Sequence, residues 1–169
     1  MIYLEIIGYK CFNEGLINNH NIKFEVGKKY VIKPPIKFGT TGNGFHLCKR
    51  MEDTLRYFNA LEENIDMCLV RGSGQIDKQY DEYYGYYDMY AVEELEILKQ
   101  LSRDEIIEIA LNLNDLRVCR FIQSFKLNAS EIELFKRKFQ NYESVLNHIK
   151  YYQEKETGVF VKKRGGLYG

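Results

Sequence analysis

Ala91-Val92-Glu93-Glu94-Leu95-Glu96-Ile97-Leu98-Lys99-Gln100-Leu101-Ser102-Arg103-Asp104-Glu105 is the stretch whose assignment divides the chain. Val92, Leu95 and Leu98 fit one stripe of a helix. Leu95 and Ile97 against Glu94 and Glu96 fit the two faces of a strand. The strand is the favoured reading of 91–98. Directly behind it, Ser102 and Glu105 form a capping box, because each side chain can satisfy an orphan amide of a first helical turn. The chain is therefore β-rich up to this point and helical beyond it.

Moving toward the N-terminus, Gly72-Ser73-Gly74 reads as a turn. The segment 80–90, with Tyr83, Tyr84, Tyr86, Tyr87 and Tyr90 around Gly85, reads as irregular or as an edge strand. Residues 64–70 form a strand that is apolar on both faces (Met67 and Leu69, Cys68 and Val70), which implies a central place in a sheet. Met51, Leu55, Phe58 and Leu61 give helical spacing over 50–61. Phe45 to Cys48 is short and apolar. The loop 33–44 holds Pro34, Pro35, Gly39, Gly42 and Gly44 and interrupts regular structure. Ile22 to Val26 alternates as a half-buried strand and pairs with 30–32 as a hairpin across Gly27. Residues 2–12 read as a strand with a bend or a close backbone approach at Gly8.

Toward the C-terminus the spacing predicts helices to about 112, over 114–126 (apolar Leu116, Cys119, Ile122 and either Phe125 or Phe121), from a second box at Ser130 to 139, and over 142–155. Strands followed by helices imply an α+β fold with a mostly antiparallel sheet. Three segments result: a β-rich domain 1–101, a helical subdomain 102–157 and a basic tail 158–169 containing Lys162-Lys163-Arg164.

The 169 residues suit one domain with a helical annex. Lys plus Arg equals Asp plus Glu at 24 each, so the overall charge favours neither nucleic acid nor a membrane surface. Cys11, Cys48, Cys68 and Cys119 are widely spaced, which predicts reduced, buried thiols in a cytoplasmic protein, with neither disulfides nor zinc. The N-terminus lacks the pattern of a signal peptide, and no stretch approaches the ~20 apolar residues of a membrane span. His20, His46 and His148 are far apart, so no metal is expected. The dense tyrosines at 83, 84, 86 and 87 suit a protein-binding face, since aromatic anchors dominate interface energetics.

Two resemblances follow. Gly8-Tyr9-Lys10-x-Phe12-Asn13, Phe24-x-Val26-Gly27-Lys28-x-Tyr30 and Gly44-Phe45-His46-x-Cys48, in this order over roughly 6–102, resemble a family of uncharacterised bacterial and bacteriophage proteins. The central stretch is also similar to the core of ADP-ribosyltransferases of the diphtheria-toxin and poly-ADP-ribose-polymerase type. Gly44-Phe45-His46-Leu47 stands where those proteins have G-F-Y-[ST], and Tyr57 follows His46 at the spacing of their second tyrosine.

The second resemblance implies an NAD-binding domain, catalytic or degenerate. Tyr9, Lys10, Gly44, His46 and Tyr57 would hold the cofactor. Glu94 or Glu96 would stabilise the charge that develops as nicotinamide leaves. The alternative is a non-enzymatic binding module, for example a phage-encoded inhibitor of a host or defence protein, using Tyr83, Tyr84, Tyr86 and Tyr87. Whether the chain is an enzyme stays open at this level.

Overall fold

The structure, a computed structural model, describes residues 4–81 and 85–154. Five antiparallel strands form one sheet: β1 (Ile6–Asn13), β2 (Lys29–Val31), β3 (Phe45–Cys48), β4 (Ile65–Asp81) and β5 (Gly85–Gln100). The order is β2-β5-β3-β1-β4, and β4 pairs again with β5. Strands β1, β3, β5 and β4 therefore close a ring. The fold is α+β, as expected.

The ring closes at one narrow seam. β1 meets β3 in a single pair, Tyr9 opposite Cys48, while it runs in register with β4 from Ile6–Gly72 to Asn13–Ile65. A Cβ on Gly8 would lie 2.4 Å from the Cys48 carbonyl oxygen, so only glycine lets the two backbones approach this closely.

Strand alternation divides the apolar residues between two cores. Phe12, Leu47, Cys68, Val70, Val92, Leu95 and Ile97 fill the ring, with Phe24 plugging it. Cys11 and Met67 face the other way and join Met51, Leu55 and the helices. The two apolar faces of the β4 stretch arise in this way. The stretch 91–98 is strand throughout, within β5.

Several local expectations are corrected. Ile22–Val26 is not a strand. Only Phe24 turns inward, packing on Phe12, Tyr30 and Phe45, while Ile22 and Val26 are exposed, and β2 pairs with β5. Gly72-Ser73-Gly74 does not turn the chain. β4 runs on through a bulge at this point, where Gly72 admits the Leu47 and Val92 side chains and Gly74 takes φ +79°.

The helix expected at 50–61 shrinks to α1 (Met51–Thr54) and a 3-10 turn, Leu55–Tyr57. Met51 and Leu55 are buried as expected, and the chain becomes extended at Phe58, after the 3-10 turn.

The helical layer contains α2 (Arg103–Leu111), α3 (Asp115–Ile122), α4 (Ala129–Lys138), α5 (Glu143–His148) and a π-turn, Ile149–Gln153. The Ser102/Glu105 capping box is present. The second box is Asn128 with Glu131 rather than one opened by Ser130. Leu116 is not on the apolar side of α3, being 78% exposed. The basic tail 158–169 lies outside the described residues. Among the described residues, no helix is long and apolar enough to cross a membrane.

Candidate functional site

β3 carries the centre of the candidate site. Phe45 and Leu47 point into the ring, which turns His46 and Cys48 outward. Across the sheet His46 stands opposite Ala91, and Ala91 stands opposite Asp77 of β4, so the three share one row on the outer face. The loop 33–44 crosses this row as a strap. Asp77 Oδ2 accepts from the Phe38 amide at 2.7 Å, and His46 Nε2 accepts from the Gly39 amide at 3.3 Å. The Phe38 ring meets His46 edge-on at 4.6 Å. Asn43 folds the strap by donating to the carbonyls of Lys33 and Pro35. Gly44 takes φ +137°, with Ala91 close beneath it.

Because Nε2 accepts, the His46 ring is neutral with its proton on Nδ1. Burial, and next the nearby Lys10 charge, lower its ionisation to about 4. Lys10 belongs to β1, and its amine donates to the His46 carbonyl at 2.6 Å. That carbonyl lies beyond the single β1–β3 pair, so Lys10 supplies a donor where the strands part. The amine also lies 5.7 Å from the Phe12 ring centre. Burial lowers its pKa to about 8, partly opposed by the Cys48 and Cys11 thiols. Burial, with Asp53 as the next cause, pushes Cys48 up to about 12, so its thiol is not a ready nucleophile.

The structure thus brings together Lys10, Gly44 and His46 of the residues selected from sequence. Tyr9 packs against the helical core. Tyr57 sits on the 3-10 turn, 53% exposed, and the ring placed on His46 is that of Phe38.

Glu94 and Glu96 do share the face opposite Leu95 and Ile97, and both are ion-paired. Glu94 accepts from Lys29 at 2.8 Å and from Ser73 Oγ at 3.0 Å, and these contacts, Lys29 first, hold its carboxyl below the usual range. Glu96 meets Arg71 at 2.9 Å. Tyr83 and Tyr84 lie outside the described residues, as do the side chains of Tyr86 and Tyr87. Sequence reading missed Phe38, Asp77, Lys29, Ser73 and Arg71. Strand parity and register are the signals that could have found the last four.

Among the described residues, no group of three or more His, Cys, Asp or Glu is arranged to hold a metal. All four cysteines are free and buried.

The profile of a domain of unknown function, DUF7666, matches residues 6–109, the ring together with most of α2. The chain belongs to the DUF7666 family. No curated protein matches, and no solved structure matches, so the ADP-ribosyltransferase resemblance has no structural neighbour behind it. The DUF7666 match contains the strap, the seam and every described residue of the candidate site. Helices α3 to α5 lie beyond it.

Proposed function

We propose that the chain is a non-enzymatic protein-binding module whose recognition element is the distal β4–β5 hairpin. One observation carries this reading. Beyond Lys78 and Met89, where pairing of β5 with β3 ends, the described pairs Tyr80–Tyr86 and Asp81–Gly85 join β4 and β5 alone. A two-stranded ribbon gains little stability by itself in water. Its sequence there is the tyrosine-rich stretch. Tyrosine supplies broad contact area with few torsions to freeze and a hydroxyl for the rim. Inhibition of a host or defence protein by a phage-borne chain is the narrower form of this proposal.

Capture from host lysate tests it. A variant with Tyr83, Tyr84, Tyr86 and Tyr87 changed to Ala should lose its partner while keeping its far-UV spectrum. A folded variant that retains every partner overturns the reading.

The second reading is NAD binding with ADP-ribosyltransferase-like chemistry. The position of the Lys10 amine on the His46 carbonyl, with Gly44 two residues before His46, favours it, because a cation at this point suits a phosphate-bearing ligand. The existing partners of Glu94 and Glu96 weigh against chemistry, since each carboxylate would have to leave a cation to reach a ribose. NAD at about millimolar concentration should raise the unfolding temperature by mass action, and an unchanged temperature removes this reading.

A further inference from the structure

The junction between α1 and α3 holds an arrangement that neither proposed activity uses. Glu52 and Asp53 are consecutive on α1, at 1% and 2% exposure. Two arginines reach them from α3. Asp53 Oδ1 takes both, Arg117 Nη1 at 3.0 Å and Arg120 Nη1 at 2.8 Å. Glu52 Oε1 is left 3.5 Å from Arg117 Nε with no hydrogen bond.

An ionised carboxylate withdrawn from water with one oxygen left without a donor is costlier than the neutral acid. Other charged or titratable groups also face Glu52. Asp53 on its own helix opposes its ionisation. A hydrogen bond from its own backbone amide, then Arg117 and Arg50, favour ionisation, but Arg50 turns its guanidinium toward Asp88. The Cys48 thiol of β3 is a further neighbour, and it is protonated. Burial is the largest influence on Glu52 and raises its pKa.

We propose that this junction is a proton-linked clasp: Glu52 docks as the neutral acid, and loss of its proton to bulk water weakens the hold of α3 on the ring. The sign follows from linkage. The folded chain keeps this proton at a pH where the unfolded chain has released it. Glu52 therefore adds stability below its ordinary range, and that stability is lost as pH rises from there through the folded-state value. The family match ends before α3. The clasp thus joins the matched segment to the helices beyond it and makes their attachment responsive to acidity.

Urea unfolding of the full chain and of Glu52→Gln, from about pH 3.5, below the ordinary glutamate range, to about pH 8, tests the proposal. Glutamine copies the neutral acid. The two proteins should match at the acid end. Between the ordinary glutamate value and the folded-state ionisation, the folding equilibrium of Glu52→Gln should gain on the parent by about tenfold per pH unit, and above the folded-state ionisation the gain should level off. All other pH-dependent groups are common to both proteins and cancel.

A difference that stays constant across the range overturns the proposal, as does a variant weakened equally at every pH. Should the variant fail to fold, the carboxyl carbon resonance of Glu52 in the parent decides. Titration above the usual carboxylate range supports the clasp, and titration within or below it removes the clasp.

Discussion

Gly8 is the position where one missing side chain has the widest effect. A methyl group there would meet the Cys48 carbonyl at 2.4 Å and Leu47 Cδ1 at 2.9 Å, and a backbone oxygen cannot rotate aside. Gly8→Ala should cost about 3 kcal/mol, seen as a lower urea midpoint at an unchanged slope. His46 gives a second prediction at this scale. It ionises at about 4 in the folded chain, against 6.5 ordinarily. The unfolded chain takes up the proton first on acidification. The stability owed to neutral His46 is therefore complete above 6.5 and lost as pH falls toward 4. His46→Phe should flatten the acid limb of a stability–pH curve, and an identical limb would show that another group sets it. His46 was found in the sequence through its glycine-flanked motif. Its partners were not found, because a backbone carbonyl receiving Lys10 leaves no mark in residue spacing.

At the scale of elements, alternation and capping were the dependable signals. Leu95 and Ile97 against Glu94 and Glu96 read correctly as strand because both faces are used, one in the ring and one in ion pairs. The same alternation misled at Ile22–Val26, where a single inward Phe24 satisfies the core and the backbone needs no partner strand. Gly72-Ser73-Gly74 was read as a turn because glycine also marks turns, and here it marks crowding.

The caps give a direct comparison. Ser102→Ala and Asn128→Ala should each cost about 1 kcal/mol in thermal or urea unfolding. Ser130→Ala should cost clearly less, since Ser130 only donates to the Asn128 side chain. Equal losses at Ser130 and Asn128 would contradict the observed cap.

For the molecule as a whole, the β-rich and helical segments share one core. Met67 of β4 is 1% exposed and sits among helical residues, including Phe121 and Ile122. Met67→Ala should cost about 2–5 kcal/mol. Helical circular dichroism and tyrosine fluorescence should lose stability together, whereas separate transitions would mean that the two segments melt independently. The sequence showed where strands give way to helices. It could not show that Cys11 and Met67 turn toward those helices, because the facing of a strand is decided by what covers it.

The seam at Tyr9 and Cys48 also bears on how fast the chain folds. β4 and β5 are neighbours in sequence and can zip early, whereas β1 and β3 join the ring from far apart and pay loop-closure entropy first. We predict that the seam forms after the rate-limiting step. In that order of events, Gly8→Ala leaves the refolding rate nearly unchanged and shortens the lifetime of the native state, so the one place where glycine lets two backbones touch acts as a kinetic lock on the closed ring.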